Sequence, residues 1–217
     1  MTDVRPRRTG RPPLTDRATL LAAAREIGFA DLTVGTVTAK VGVKYSTFYR
    51  HFSSYEALLS AAVDEVLAET TFPEPAQPWR THISGTSAAM FELLHRNPGL
   101  AHAIVALPER PDRLVTLFRQ TSEVLLEAGF DGKDTVLGAT GTFELAIMPW
   151  IDSPGPTPGG VTRREQARVT PEPLDERVRE AIVNSVEDPP TGWVADKVDL
   201  MIDGLEVRLA RSRAARP

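Results

Sequence analysis

Residues 33–56 read TVGTVTAKVGVKYSTFYRHFSSYE, and this stretch decides the fold of the chain. It predicts a short helix capped by Thr33, a tight turn at Gly42 and a second short helix over 45–52. Gly42 suits the turn because a residue without a Cβ tolerates a positive φ. Two short helices around such a turn are typical of a helix-turn-helix, whose second helix enters the major groove of DNA.

The same stretch predicts the start of a third helix, because Ser53 and Glu56 have the spacing of a capping box. Phe48 and Phe52 are four residues apart, so they share one helix face and are assigned to the core. An ordinary helical hairpin would show the same apolar pattern and stays open as an alternative. The capped third helix favours the helix-turn-helix.

Six short matches run from the first helix to the third: Leu20-Leu21-x-Ala23-Ala24-x-x-Ile27, Gly28-Phe29, Leu32-Thr33-Val34, Val41-Gly42-Val43, Thr47-Phe48-Tyr49-Arg50-His51-Phe52 and Glu56-Ala57-Leu58-Leu59. In these matches the sequence resembles the TetR-type bacterial transcriptional regulators. The rest of the chain resembles that family only in helical layout. The resemblance implies an all-α fold, with an N-terminal three-helix helix-turn-helix DNA-binding head and a helical ligand-binding and dimerisation domain.

The chain departs from the family pattern in its head. Lys44 stands where the family commonly has a capping Ser, and Tyr45 and Tyr55 stand where Lys is frequent. The first helix also looks about one turn short, which keeps its apolar face in phase.

We expect three parts along the chain. A basic flexible arm occupies 1–14, a helix-turn-helix DNA-binding domain with linker helix 4 occupies 15–70, and a helical ligand-binding and dimerisation domain occupies 71–217. The Pro-rich segment 72–79 marks the boundary between the last two. Residues 152–173 are rich in Pro, Gly, Thr and Arg and are predicted to form a mobile loop.

Apolar periodicity predicts the helices of the body at 79–96, 99–107, 111–128, 132–150, 174–186 and 193–212. The helix at 132–150 is apolar nearly all round, which predicts burial on more than one side. Its Gly138 and Gly141 are expected to admit a neighbouring backbone. From the resemblance, this helix and 193–212 would form the four-helix interface of a homodimer; a central place in the monomer is the alternative.

Charge is distributed unevenly along the chain. Residues 1–55 carry nine Lys and Arg against four Asp and Glu, whereas the remainder carries 16 against 25. A basic head on an acidic body is the electrostatic pattern of a DNA-binding module joined to a part that does not touch DNA. A chance fluctuation in charge is the alternative.

The resemblance supplies candidates for DNA contacts. Those that would hold the phosphate backbone are Thr33, Thr47, His51 and Tyr55. Those at the front of the recognition helix, near base edges, are Lys44, Tyr45, Ser46 and Tyr49. Lys44 can pair with guanine, and Tyr45 can pack on a thymine methyl. Core packing of Tyr49 and a surface His51 without a role stay open.

The arm contains Thr9-Gly10-Arg11-Pro12, which looks like the centre of an AT-hook. Arg8 and Arg11 are therefore candidates for insertion into a narrow minor groove. A disordered, solubilising tail is the alternative.

The resemblance also implies a small-molecule effector that binds in the body. The candidate lining residues are Phe91, Leu94, His95, Phe118, Thr121, Phe143, Ile147 and Trp150. For each of them, an ordinary core residue is the alternative. A largely apolar lining predicts a mostly hydrophobic effector, whose binding would change the spacing of the two heads through helix 4.

Several classes of function are not expected. The chain has no cysteine, which excludes disulfides, thiol catalysis and Cys-based zinc sites. No G-x-S-x-G, Gly-rich phosphate loop or H-E-x-x-H motif is present, so we expect no enzyme, and no metal or other cofactor. His95 and His102 are a poor metal pair because Asn97-Pro98 interrupts the helix between them. No apolar stretch of about 18 residues occurs, so we expect a cytoplasmic protein without a membrane partner.

We therefore predict a ligand-responsive DNA-binding transcriptional regulator, most simply a repressor. It would act as a homodimer on a near-palindromic operator in double-stranded DNA. The alternative is a helical protein that binds or sequesters a small molecule and carries a degenerate DNA-binding head. Tyr45, Tyr55 and the short first helix are the features that support this alternative.

Overall fold

The computed structural model describes residues 15–151, 174–187 and 190–214, and all regular structure within these ranges is helical. The helices are α1 (Arg17–Ile27), α2 (Val34–Val41), α3 (Tyr45–Phe48), α4 (Tyr55–Glu69), α5 (Trp79–Arg96), α6 (Leu100–Ala106), α7 (Asp112–Glu127), α8 (Gly132–Ile151), α9 (Glu176–Glu187) and α10 (Pro190–Ala214). The all-α prediction is confirmed. The arm at 1–14 and the loop at 152–173 lie outside the described residues. None of the described helices is both long enough and apolar enough to cross a lipid bilayer.

Side-chain caps begin the first two helices, and the cap at Thr33 was predicted from the sequence. Asp16 caps α1, where its Oδ1 accepts the amide N–H of Thr19 at 2.8 Å. Thr33 caps α2, where its Oγ1 accepts the amide N–H of Thr36 at 3.0 Å. Gly42 ends α2 in the left-handed region with φ of 73°, as predicted.

The recognition segment, which we define as residues 44–52, differs from its prediction. Regular helix ends at Phe48, so the predicted helix over 45–52 is wrong in length. The backbone N–H groups of Arg50 and His51 donate to the carbonyl oxygens of Thr47 and Phe48, three residues back. These hydrogen bonds tighten the last turn. Lys44 supplies no side-chain cap.

The start of α4 is also shifted from its prediction. Ser54 is the cap, and its Oγ accepts the amide N–H of Ala57 at 3.2 Å. The predicted capping box from Ser53 to Glu56 is therefore wrong by one residue. Ser54 takes the cap because its own backbone is still extended, with φ of −155°, where the helix begins.

Helix α8 is the central helix of the body and packs against α5, α7 and α10. The apolar stripe of α10 that faces inward consists of Val194, Val198, Ile202, Leu205 and Leu209. Gly138 and Gly141 admit side chains of α7 and α10, not a neighbouring backbone as predicted. A Cβ on Gly138 would lie 3.0 Å from Leu125 Cδ1 of α7 and 3.2 Å from Leu205 Cδ1 of α10, and one on Gly141 would overlap the sulfur of Met201.

Ion pairs fasten α10 to its two neighbours. Arg208 donates to the buried carboxylate of Asp134 on α8 at 2.5 Å. Arg80 on α5 pairs with Asp203 at 3.0 Å and also with Glu206. The Asp134 pair is the one whose disruption would matter most, because a buried charge left alone is costly.

The head is joined to the body by α4 and by one turn of the body. On α4, Glu69 binds the Arg25 guanidinium of α1 through two contacts of 2.5 Å, and Asp64 accepts the Arg113 amide at the start of α7 at 3.2 Å. The turn before α6 holds Gly99, whose φ is +87°. A Cβ there would stand 2.6 Å from the backbone nitrogen of Ala30 in the head. Body and head therefore meet backbone to backbone at this turn.

Gly99→Ala should lower the free energy of unfolding by roughly 2–4 kcal/mol, because the new methyl clashes with the Ala30 backbone and the positive φ is strained. Gly129→Ala is the matched control. It has a similar φ of +98°, but its Cβ would meet only Leu209 Cδ1, at 3.8 Å. Gly129→Ala should lower the free energy of unfolding by only about 1–2 kcal/mol. Urea unfolding of both variants measures the difference, and equal losses would contradict the backbone contact.

Candidate nucleic-acid interface and ligand cavity

The recognition segment has one face fixed in the core of the head and the other in solvent. Phe48 and Phe52 are 0% and 1% exposed, and their rings stack with centroids 5.7 Å apart. Tyr45 and Tyr49 are 55% and 53% exposed. The alternative in which Tyr49 packs in the core is therefore wrong; its ring touches Phe48 only edge-on.

Arg17 holds the end of the recognition segment against α1. Its guanidinium lies 4.1 Å from the centroid of the Phe52 ring, and its Nη1 donates to the His51 carbonyl at 3.2 Å. A cation over an aromatic face is attracted by the ring quadrupole. Arg17 was not among the predicted site residues, although its place in the first turn of an amphipathic helix beside a basic arm is a signal that could have identified it.

Three of the predicted phosphate-contacting side chains border the recognition segment. Thr33 is exposed, His51 is half-buried, and Thr47 is half-buried with its Oγ1 accepting from Arg50 at 3.4 Å. Tyr55 is different. Its hydroxyl donates to the Leu32 carbonyl at 3.0 Å, and burial raises its pKa. The proton of Tyr55 is thus used inside the head and is not free for a phosphate.

Within the described part of the head, most cations already have a partner. Arg25 pairs with Glu69 and Lys40 pairs with Glu26 at 2.7 Å. Lys44 and Arg50 are exposed on the recognition segment and make no ion pair among the residues that the structure describes. Free positive charge is therefore concentrated beside the exposed tyrosines. Arg8 and Arg11 lie outside the described residues.

We define the front face as the exposed side chains of Lys44, Tyr45, Ser46 and Tyr49. All four come from the first six residues of the recognition segment, which Gly42 turns away from α2. The face offers a cation, three hydroxyls and two aromatic rings on a narrow helical projection. These groups can bind phosphates, base edges and thymine methyls.

The body contains a half-open cavity of about 330 Å³ between α6, α7 and α8. Its lining residues are Ile104, Val105, Arg110, Leu114, Val115, Phe118, Thr140, Phe143, Glu144, Ile147 and Met148. Phe118, Phe143 and Ile147 belong to the predicted ligand-binding set. The wall is mostly apolar, and Arg110, Thr140 and Glu144 supply the polar groups.

The other five predicted ligand residues lie away from this cavity. Leu94 is buried in the core, and Phe91 borders a separate cavity of about 290 Å³ between α5 and α10. Trp150 packs against Phe91 and His95, with ring centroids 5.1 and 5.7 Å apart. Thr121 is buried and shares a hydrogen bond of 3.2 Å with His82 Nε2. The predicted ligand-binding residues thus fall into a group that lines the cavity and a group that does not, and sequence periodicity could not separate the two.

Large apolar side chains stand exposed on the side of α8 and α10 that faces away from the core. We call this surface the outer apolar face, and its residues are Val136, Leu137, Met148, Leu200 and Val207. Leu200 is 76% exposed. Exposed apolar side chains of this kind can mark interaction sites when they are close together. Helix α8 packs against α5, α7 and α10, in line with the prediction that 132–150 is buried on more than one side, while these side chains stay exposed in the single chain.

No group of three His, Asp or Glu side chains in the described ranges is arranged to hold a metal ion. His95 and His102 are both exposed. The one buried histidine is His82.

Acid should destabilise the fold through His82, whose pKa is lowered by burial. The unfolded chain takes up this proton first, so the stability that His82 contributes is complete above its unfolded pKa of about 6.5 and is lost as the pH falls below it. His82→Gln keeps a hydrogen-bonding group for Thr121 and should lose less stability between pH 7.5 and 5.5. The exposed His102→Gln should follow the wild type. If the free energies of unfolding of the wild type and His82→Gln fell in parallel between pH 7.5 and 5.5, His82 would not be the cause of the acid sensitivity.

Comparisons with known proteins agree with this geometry. Residues 19–62 match the family model described as bacterial regulatory proteins, tetR family. The chain is 28% identical over 194 residues to the tetracycline repressor protein class A from transposon 1721 of Escherichia coli, covering 84% of this chain and 85% of that protein.

Solved structures share the fold. ActR of Streptomyces coelicolor, bound to (S)-DNPA, superposes with a TM-score of 0.66 at 15% identity and covers 88% of this chain and 97% of its own. BioQ with its double-stranded DNA operator gives 0.64 at 19% identity, covering 88% and 98%. A TetR variant from Acinetobacter baumannii in complex with minocycline gives 0.62 at 18% identity, covering 88% and 97%.

Proposed function

We propose that this chain is a TetR-type, DNA-binding repressor that is released by a small, mostly hydrophobic molecule. Its head sequence and its fold support this proposal. The observation that carries the proposal is the front face, with Lys44, Tyr45 and Tyr49 in solvent and Phe48 buried behind them. The likeness to the tetracycline repressor supports repression, and the BioQ complex supports double-stranded DNA as the partner.

The proposal assigns one role to each part of the chain. The head at 15–70 reads the operator with its front face, while Thr33, Thr47 and His51 hold phosphates. The arm at 1–14 places Arg8 and Arg11 in the adjacent minor groove. The body at 71–217 binds the effector and a second copy of the chain.

Dimerisation is required because one short recognition segment contacts few base pairs. The outer apolar face on α8 and α10 would be buried between two copies, which removes its exposure to water. A two-fold pair presents its heads to successive turns of the major groove, so the operator should be near-palindromic.

The effector site is the cavity lined by Phe118, Phe143 and Ile147. Its volume and apolar wall fit a small hydrophobic molecule. Its walls include α6 and α7, and both of these helices also pack against α4. Filling the cavity would therefore displace α4, which carries the head through its contact with α1.

A sequestering protein with a degenerate head is the rival function. Loss of DNA binding would leave no reason for two exposed tyrosines and an exposed lysine without an ion pair among the described residues to share one small surface. The front face therefore favours the repressor, and the following experiment separates the two functions.

The wild-type protein should shift duplex DNA taken from the region flanking its own gene, with affinity that falls steeply as salt rises. Lys44→Ala should weaken binding about fivefold or more and reduce the salt slope by about one, because one phosphate or base contact is lost. Lys133→Ala is the matched control, since Lys133 is an exposed lysine at the start of α8, away from the head.

Tyr49→Ala should abolish the specific shift while the circular dichroism spectrum stays unchanged, since the side chain is exposed. Absence of binding to any duplex at low salt would favour the sequestering protein. If Lys44→Ala and Lys133→Ala weakened DNA binding equally, the front face would not be the DNA-binding surface.

Val115→Asp should abolish the response to apolar effectors, because it introduces a carboxylate into the cavity wall at a side chain that is 51% exposed. The response is measured as release of the DNA shift during a screen of small apolar compounds, with a parallel rise in thermal midpoint. Leu126→Asp lies on the same helix at 52% exposure, outside the cavity, and should respond like the wild type. Release that persists in Val115→Asp would move the effector site elsewhere.

A further inference from the structure

The hydroxyl of Tyr45 lies over Gly35 of the neighbouring helix α2. A Cβ built on Gly35 would stand 2.8 Å from the Tyr45 hydroxyl oxygen and 4.0 Å from its Cζ. The first distance is too short for any real side chain. The Tyr45 hydroxyl oxygen therefore occupies space beside α2 that a side-chain carbon at residue 35 would need, while the ring lies at an ordinary contact distance.

The backbone gives no other reason for a glycine at this position. Gly28 and Gly42, which flank α2, have positive φ values, but Gly35 does not. Glycine inside a helix is destabilising relative to alanine, so α2 carries a cost at Gly35. Among the described residues, the close approach of the Tyr45 hydroxyl is the contact that a side chain at residue 35 would disturb.

Tyr45 has little else to fix its direction. It is the first residue of α3, it is 55% exposed, and its hydroxyl has no hydrogen-bond partner among the described residues. A side chain that rotates freely in the unbound protein must be ordered on binding, which weakens the complex. Resting against Gly35 restricts the ring before DNA arrives.

We propose that Gly35 is a positioning residue for DNA reading: it orients the Tyr45 ring, and Tyr45 then selects thymine at one position of each half-site by packing on the thymine methyl. This inference rests on the proposed function as a DNA-binding protein. It concerns which residue sets the base preference and how that residue is held.

A methyl group at position 35 should change the orientation of the Tyr45 side chain without changing the fold of α2. It would collide with the outer end of a flexible side chain and not with a backbone, so the Tyr45 ring moves while α2 remains. Gly35→Ala should therefore fold, with a thermal midpoint a few degrees higher, because alanine is the better helix former.

The test is a double-mutant cycle on a duplex selected from a randomised pool by the wild-type protein. Gly35→Ala and Tyr45→Ala should each weaken binding to that duplex about tenfold, which corresponds to loss of one good contact. The double variant should bind like Tyr45→Ala alone, since alanine at 35 has nothing left to displace. A second selection with Tyr45→Ala should lose the thymine preference at one position per half-site.

Gly132→Ala is the matched control, because it lies at the start of α8 with open space around it, and it should bind like the wild type. The inference is overturned if Gly35→Ala keeps the wild-type affinity and base preference. It is equally overturned if Gly35→Ala weakens the Tyr45→Ala protein as much as it weakens the wild type. A wild-type protein that enriches no sequence from the pool refutes the proposed function itself, which is a different result.

Discussion

The burial of Phe48 and Phe52 is the constraint on which the functional surface depends. Both rings lie in the core of the head, and the recognition segment between Gly42 and α4 is too short to rotate around them. With that side fixed inward, Lys44, Tyr45 and Tyr49 must point to solvent. Arg17 on α1 completes the attachment by its contact with Phe52 and the His51 carbonyl.

Local rules were enough to predict much of the fold. Thr33 and Gly42 were predicted because caps and left-handed turns depend on a few adjacent atoms, and the structure confirms both. The helix over 45–52 was predicted too long. After Phe48, the choice between backbone hydrogen bonds to the carbonyl three or four residues back depends on packing against α1. The α4 cap lies at Ser54 and not at Ser53 because the backbone is still extended at Ser54, which two adjacent serines in a sequence do not reveal.

The candidate site was predicted less completely, because it is assembled from residues far apart in sequence. Periodicity placed Phe118 and Phe143 on inward faces, but it could not tell which inward residues border an opening and which, like Leu94, are enclosed. The fit of Tyr45 over Gly35 joins two helices across a turn, and no spacing rule encodes it. Tyr55 was misjudged because its acceptor, the Leu32 carbonyl, is identified only by the fold.

Two copies of the recognition segment must face successive turns of one duplex if the protein reads a near-palindromic operator. The absence of cysteine makes Ser53→Cys a unique attachment site for a spin label, at an exposed position just after the segment and outside the front face. Double electron–electron resonance on the DNA-bound protein should then give a narrow distance of about one helical turn, roughly 34–36 Å or slightly more. A broad distribution, a distance far from this value or no dipolar coupling would contradict the claim.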